Sequence, residues 1–273
     1  MPKAPAPVAP VLRSFVDEFE ARIAPLALAE KWDNVGFLIE SPRSINYSKL
    51  RILTCIDLTN DVVSEAIRKQ CNFILAYHPI LFQPIQSLSL SSQLPVIRCV
   101  DAGINVFVPH TALDSVEGGM NDFLSDIFLS HQASRSPVRT DPVTGAHVGR
   151  VVQLRGLLSL SAVFGILKSS LNIPAVRYSC ATESADTMIR SVAVCVGSGS
   201  SVLKGCDADL YLTGEMSHHD ILACRSAGKS VVLLDHSSSE RPFLPELAKR
   251  VRSMSNVDSV IESESDVEPI QTA

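Results

Sequence analysis

Two separate stretches of this chain run through the same order of elements, and that duplication leaves few folds open. RILTCID (51–57) is a compact β-rich run, and Thr59-Asn60-Asp61 can cap a helix with Val62, Val63, Ala66 and Ile67 on its inner face. NFILAYHP (72–79) is a second buried strand, LPVIRCVDAG (94–103) a helix stopped by Gly103, and INVFVPHTALD (104–114) a third strand. Further along, SVAVCVGSGSS (191–201) again reads strand, turn, helix. ADLYLTGE (208–215) repeats the second strand, HHDILACRSAG (218–228) the glycine-stopped helix, and SVVLLDHSSSE (230–240) the third strand. Strands alternating with helices favour parallel crossovers. The expected fold is therefore α/β: two similar lobes related by pseudo-symmetry, each a sheet with flanking helices.

The remaining segments fit around this scheme. Residues 1–10, MPKAPAPVAP, read as a loose Pro-punctuated arm, followed by Leu12, Phe15, Val16, Phe19 and Ile23 at helical spacing until Pro25. GGMNDFLSDIF (118–128) starts a helix, an apolar helix spans about 160–170, and a strand lies near PAVRYS. The polar, Pro- and Gly-bearing stretch 130–150 is the best candidate for a junction. It divides the chain into an N-terminal lobe over 1–130 and a C-terminal lobe over 131–273, interlocked with the first. VDSVIES near the end reads as a final edge strand.

Bulk properties exclude several function classes. A chain of 273 residues can bury roughly 75% of its unfolded surface without disulfides or structural metal. The net charge of −5, with scattered Lys and Arg, gives no electrostatic footprint for direct nucleic-acid binding. No run approaches the about 18 apolar residues of a membrane span. The N-terminus lacks the apolar core of a secretory signal. Seven cysteines, an odd number with no CxxC, read as small buried hydrophobes in a reducing compartment. A cytoplasmic protein is expected, with nuclear or mitochondrial pools open.

Chemistry concentrates at strand ends. His78 ends FILAY; His110 ends INVFV with Asp114 four residues on; His236 ends VVLLD with Glu240 four residues on. In open α/β sheets the C-terminal strand edge is where ligands bind. Imidazole with carboxylate suits a divalent transition metal such as Zn, Mn or Fe. A lone histidine at a strand end is usually a structural residue, but the recurrence of the acid-bearing pair in both halves favours a cation. Gly197-Ser198-Gly199 reads equally as a phosphate-binding turn or a simple tight turn. His218 and His219 read as surface or capping residues. Trp32 reads as a core or interface anchor, with Asp33-Asn34 making a turn. Thr213 and Glu215 follow a strand and read either as turn residues or as candidates for supporting the ligands or touching substrate.

In these blocks, together with AEKWDNVGFLIE (29–40), DHSSSE (235–240) and the closing SESDVEPIQ, the sequence resembles the Nif-three-like family (Ngg-one-interacting factor three), also labelled GTP cyclohydrolase I type 2 homologues. The resemblance runs from about Phe15 to Pro269 and points to the eukaryotic branch. It implies two α/β halves around a dinuclear metal site, with His78, Asp114, His236 and Glu240 as ligands and His110 beside them. Many bacterial members carry two histidines before the proline; here the first is Tyr77, so one or two ions are both open. Bacterial relatives imply a homo-oligomer, from dimer to hexamer.

Two functions follow as expectations. The first is a metal-dependent hydrolase acting on a nucleotide or another phosphorylated small molecule, with Glu240 orienting water and His110 moving a proton. The second is a protein-interaction role in transcriptional co-regulation, with protein partners and a structural or vestigial metal.

Overall fold

The computed structural model describes residues 7–182, 184 and 186–270. In chain order its elements begin with helix α1 (Pro10–Arg22), strands β1 (Gly36–Ile39) and β2 (Leu50–Cys55), helix α2 (Asn60–Arg68) and strand β3 (Phe73–Ala76). Helix α3 (Leu94–Ala102), strand β4 (Asn105–Val108) and the short helices α4 (Thr111–Ser115) and α5 (Met120–Ser125) follow. Next come strands β5 (Gln132–Thr140) and β6 (His147–Ser159), helix α6 (Leu160–Leu171), and strands β7 (Arg177–Ser179) and β8 (Met188–Ser198). The chain continues through helix α7 (Ser200–Leu203), strand β9 (Leu210–Glu215), helix α8 (His218–Ser226), strand β10 (Ser230–Leu233), helix α9 (Leu244–Arg252) and strand β11 (Val257–Glu262).

These elements form two compact units. One comprises the chain up to Leu113 and from Phe243 onward; the other is Asp114–Pro242. The first unit holds a five-stranded sheet in the order β1-β4-β3-β2-β11. Strands β2, β3 and β4 run parallel, β11 adds parallel to β2 at one edge, and β1 closes the other edge antiparallel to β4. Crossovers α2 and α3 cover one face through Val62, Val63, Ala66, Val96 and Cys99, packed on Leu53, Ile74 and Val106. Ile67, expected on that inner face, is 42% exposed instead, because Val62, Val63 and Ala66 already define the buried stripe. Thr59 caps α2 by accepting the Val62 N–H at 3.3 Å, and Gly103 at φ 83° ends α3. The opposite face is aromatic. Phe15 of α1 stacks at 4.7 Å on Phe73 and 5.4 Å on Phe107, and Phe19 meets Phe107 at 5.1 Å. Of the expected arm over 1–10, residues 1–6 lie outside the described residues. Pro10 already opens α1, where its missing N–H is harmless, and Ala9 is buried.

The second unit holds a six-stranded sheet in the order β5-β6-β8-β9-β10-β7. Here β8, β9 and β10 are the parallel trio, joined by α7 and α8. The strand–helix–strand–helix–strand order therefore occurs in both units. Strands β5, β6 and β7 extend the trio antiparallel on its two sides.

Two readings of the sequence are corrected here. The stretch 130–150 is not a junction: it forms β5 and the start of β6, paired antiparallel. Asp141 Oδ1 accepts the N–H groups of Val143 and Thr144 at 2.8 and 2.9 Å and builds the connecting turn, and Pro137 is tolerated because β5 is an edge strand. The boundary also differs from 130/131. Helix α5 packs on β6 and β8, and buried Asp122 pairs with buried Arg150 of β6, so the chain from Asp114 belongs to the second unit. Helix α9 and β11 return to the first sheet through β2.

Candidate functional site

Candidate residues lie past the C-terminal ends of the parallel strands in both units, and each unit is built from its own contacts. In the first, the ladder between β2 and β3 continues past the strands: the Tyr77 N–H donates to Cys55 O at 2.9 Å and the His78 N–H to Ile56 O at 3.0 Å. That register sets the His78 ring beside Asp57, with Nδ1 2.9 Å from Oδ1. At the end of β4, His110 takes an unusual positive φ of 34°. Its Nδ1 lies 2.7 Å from Asp33 Oδ1. Asp33 is buried and also accepts the Thr111 N–H at 3.1 Å and the Thr111 hydroxyl at 2.5 Å. Burial alone would raise the Asp33 carboxyl, but the bonds from His110 and Thr111 outweigh it and hold it below the usual carboxylate range. The buried Tyr77 ring packs 4.9 Å from His78 and 5.2 Å from His110, and the two imidazoles are 5.5 Å apart.

In the second unit, β10 delivers His236 after Asp235, itself at φ 68°. His236 Nδ1 lies 2.9 Å from Glu215 Oε1 at the end of β9, while Nε2 lies 3.3 Å from Glu240 Oε1. Glu240 is only 2% exposed, against 38% for the His236 side chain, so a carboxylate is held in the interior with a partly open imidazole at its mouth. Gly197 makes this approach feasible. At φ 61° it occupies a conformation L side chains rarely adopt, and a Cβ there would sit 2.6 Å from Glu240 Oε1 and 3.2 Å from His236 Nε2. Ser239 fixes the same loop, accepting the Gly197 N–H at 2.8 Å and donating to His236 O at 2.7 Å. Thr213 donates to Gly197 O at 3.1 Å and accepts the Gly199 N–H at 3.0 Å, so it shapes the turn after β8. Asp114 sits in α4, its carbonyl accepting Asn121 Nδ2 at 3.1 Å, while Asn121 Oδ1 accepts the Val196 N–H at 3.0 Å.

One arrangement thus recurs three times. His78, His110 and His236 each set Nδ1 against a carboxylate. An ionised carboxylate can only accept, so Nδ1 carries the proton in each ring and Nε2 is the nitrogen left to act as a ligand. In His236 that Nε2 faces a second carboxylate, Glu240, at 3.3 Å, a pairing that calls for a proton or a cation between the two. This is how metal-binding histidines are held. His236 and Glu240 together offer an imidazole nitrogen and a carboxylate oxygen close enough to share one cation. The donor chemistry and the space left by the missing Cβ of Gly197 both fit a divalent transition metal.

Reading the sequence missed the orienting carboxylates Asp33 and Asp57. Asp57 ends RILTCID at the same strand edge as the histidines, which was a usable signal. Asp33 stands next to Trp32 in a marker block, but its pairing with His110 spans 77 residues and leaves no local pattern. Trp32 is not a core residue: it is 52% exposed, with its ring 6.1 Å from His110 and 5.8 Å from Phe82. His218 and His219 are exposed at the start of α8, where Ser217 is the cap. Among the described residues no helix is long and apolar enough to cross a membrane.

Comparison with known proteins gives concordant matches. The Duf34/NIF3 (NGG1p interacting factor 3) family model matches residues 12–269. A Drosophila melanogaster protein named NIF3-like protein 1 is 38% identical over 266 residues, covering 96% of this chain and 89% of its own. The Saccharomyces cerevisiae NGG1-interacting factor 3 is 36% identical, covering 91% of this chain and 93% of its own. Among solved structures, a Bacillus cereus protein related to NIF3 superposes with a TM-score of 0.82 at 19% identity, covering 97% of this chain and 99% of that one. Reduced HcgD from Methanocaldococcus jannaschii superposes with a TM-score of 0.79 at 23% identity, covering 93% and 97%. At these identities the structural matches speak to the fold.

Proposed function

Since this chain belongs to the Duf34/NIF3 (NGG1p interacting factor 3) family, we propose that it is a metal-binding hydrolase of that family, acting on a nucleotide or another phosphorylated small molecule. The observation that carries this reading is the His236–Glu240 pair, with Glu215 behind the imidazole and Gly197 leaving room in front of it. His78, Asp114, His236 and Glu240 would hold one or two divalent ions. A bound divalent cation supplies Lewis acidity toward a phosphoryl or carbonyl oxygen and toward water.

The chain's own residues supply the remainder. Asp57 and Glu215 hold the rings of His78 and His236 through Nδ1, which would leave Nε2 of each for a bound ion. Glu240 brings a negative charge that burial would otherwise disfavour, and a cation beside it would compensate. His110, its Nδ1 proton held by Asp33, has Nε2 available to take a proton from water and return it to a leaving group. The buried Tyr77 ring packs against both His78 and His110 and supports their spacing.

The test is turnover on a panel of nucleotides and phosphoesters with added Mn or Zn. The proposal expects metal-dependent hydrolysis of at least one substrate, lost in His236→Ala. The second reading, a protein-interaction role, takes its support from the name of the yeast relative, NGG1-interacting factor 3. Metal bound without turnover on any substrate would favour it, and a protein that binds no metal would remove the hydrolase proposal.

A further inference from the structure

From Ser263 to Pro269 the chain stays on the first unit. Residues Ser263 to Pro269 are tied back by two buried carboxylates. Glu65 of α2 accepts the Ser263 hydroxyl at 2.6 Å and the N–H groups of Glu264 and Ser265 at 3.1 and 3.0 Å. Asp266 reaches the end of β2: its Oδ2 accepts the Ile56 N–H at 2.6 Å and its Oδ1 the Asp57 N–H at 3.3 Å. Ile56 and Asp57 are the residues that set His78, one through its backbone and one through its ring. The same segment walls a cavity of about 570 Å³ in which Asp266, Val267 and Pro269 face Asp57, Thr59 and His78. That volume lies within the range of small-molecule sites, roughly 300–1,000 Å³.

From this chain of contacts we infer that Asp266 is a positioning residue for His78, and that residues 263–269 form a strap holding one wall of the cavity onto which His78 opens. The carboxylate of Asp266 fixes the backbone at 56–57, the backbone fixes the Asp57 side chain, and Asp57 fixes the tautomer and direction of the His78 ring. Each oxygen of Asp266 accepts one N–H, so an amide in the same place would set its NH2 group against one of the two donors, and a methyl group satisfies neither. The link to ligand binding rests on the reading of His78 as a cation ligand; the link to the ring itself does not.

The experiment uses the full chain, wild type and Asp266→Ala, with two readouts: side-chain ¹⁵N NMR of His78 in the metal-free protein, and titration with Zn(II) alone. The wild type is expected to show the Nδ1-protonated tautomer. Asp266→Ala is expected to show a mixture of tautomers and a Zn(II) dissociation constant raised roughly tenfold, the size typical of removing support behind a metal-bound histidine. Phe15→Ala, which loosens the aromatic face away from the strap, is expected to lower the melting temperature and leave the tautomer unchanged. An unchanged tautomer in folded Asp266→Ala overturns the inference. Should the alanine variant fail to fold, Asp266→Asn decides on the same signal. A shifted tautomer in a protein that never binds Zn(II) upholds the positioning role and removes the cation reading instead.

Discussion

A methyl group on Gly197 would meet Glu240 Oε1 at 2.6 Å and His236 Nε2 at 3.2 Å, and the backbone there is already at φ 61°. Gly197→Ala is therefore expected to displace the carboxylate and weaken Zn(II) or Mn(II) binding by at least about tenfold, as changes behind a metal ligand commonly do. Calorimetric titration measures this, and unchanged affinity would mean the pair is not part of a cation site. At this scale the sequence was informative where a residue's role depends on its own place in a strand. His78, His110 and His236 stand just past strand ends, and strand ends can be read from apolar runs; Glu240 follows His236 by four residues, beyond a short turn. Asp33 and Asp57 escaped because an orienting carboxylate is defined by its partner, and those partners lie 77 and 21 residues away. Thr213 and Glu215 were legible as residues at the end of a strand. Turn chemistry was one of the readings open for Thr213, and its bonds to Gly197 O and the Gly199 N–H are of that kind; that Glu215 holds His236 Nδ1 required the fold.

Among the elements, α2 shows how a capped amphipathic helix can also carry an anchoring charge. Glu65 is fully buried on α2, and burial alone would raise its carboxyl. The Lys69 ammonium, the Ser263 hydroxyl and two backbone N–H groups outweigh burial and bring it from 4.5 to about 2. A carboxyl depressed on folding stabilises the fold above its unfolded value and loses that contribution as pH falls toward its folded value. The stabilisation from Glu65 should thus be complete above about pH 4.5 and disappear as pH falls toward about 2. Glu65→Gln is expected to lower stability at neutral pH by about 3 kcal/mol and to flatten the acid limb in that window. Urea unfolding at several pH values checks both, and an acid limb identical to wild type would contradict the assignment. Element reading from sequence succeeded for α1, α2, α3, α6 and the parallel strands, where periodicity or continuous apolar runs were strong. It failed for the β5–β6 hairpin, whose polar edge strand, with Ser134, Arg135 and Pro137, resembles a linker. In that strand, pairing with β6 supplies the order that apolar content does not.

For the molecule as a whole, the duplicated order of strands and helices was legible because each crossover needs its own buried face and leaves a pattern in the chain. The division into units was not. It depends on Asp122 meeting Arg150 and on β11 returning to β2, contacts spanning 28 and roughly 200 residues that no local composition marks. The two units place histidines and carboxylates at equivalent strand ends, and the account stands on those side chains holding a divalent cation. The most direct test is equilibrium dialysis against Zn(II) or Mn(II) followed by elemental analysis, on the wild type and on His236→Ala. Stoichiometric metal in the wild type and its loss in the variant is the predicted result. A wild type that emerges without metal, or a variant that retains as much as the wild type, would contradict it.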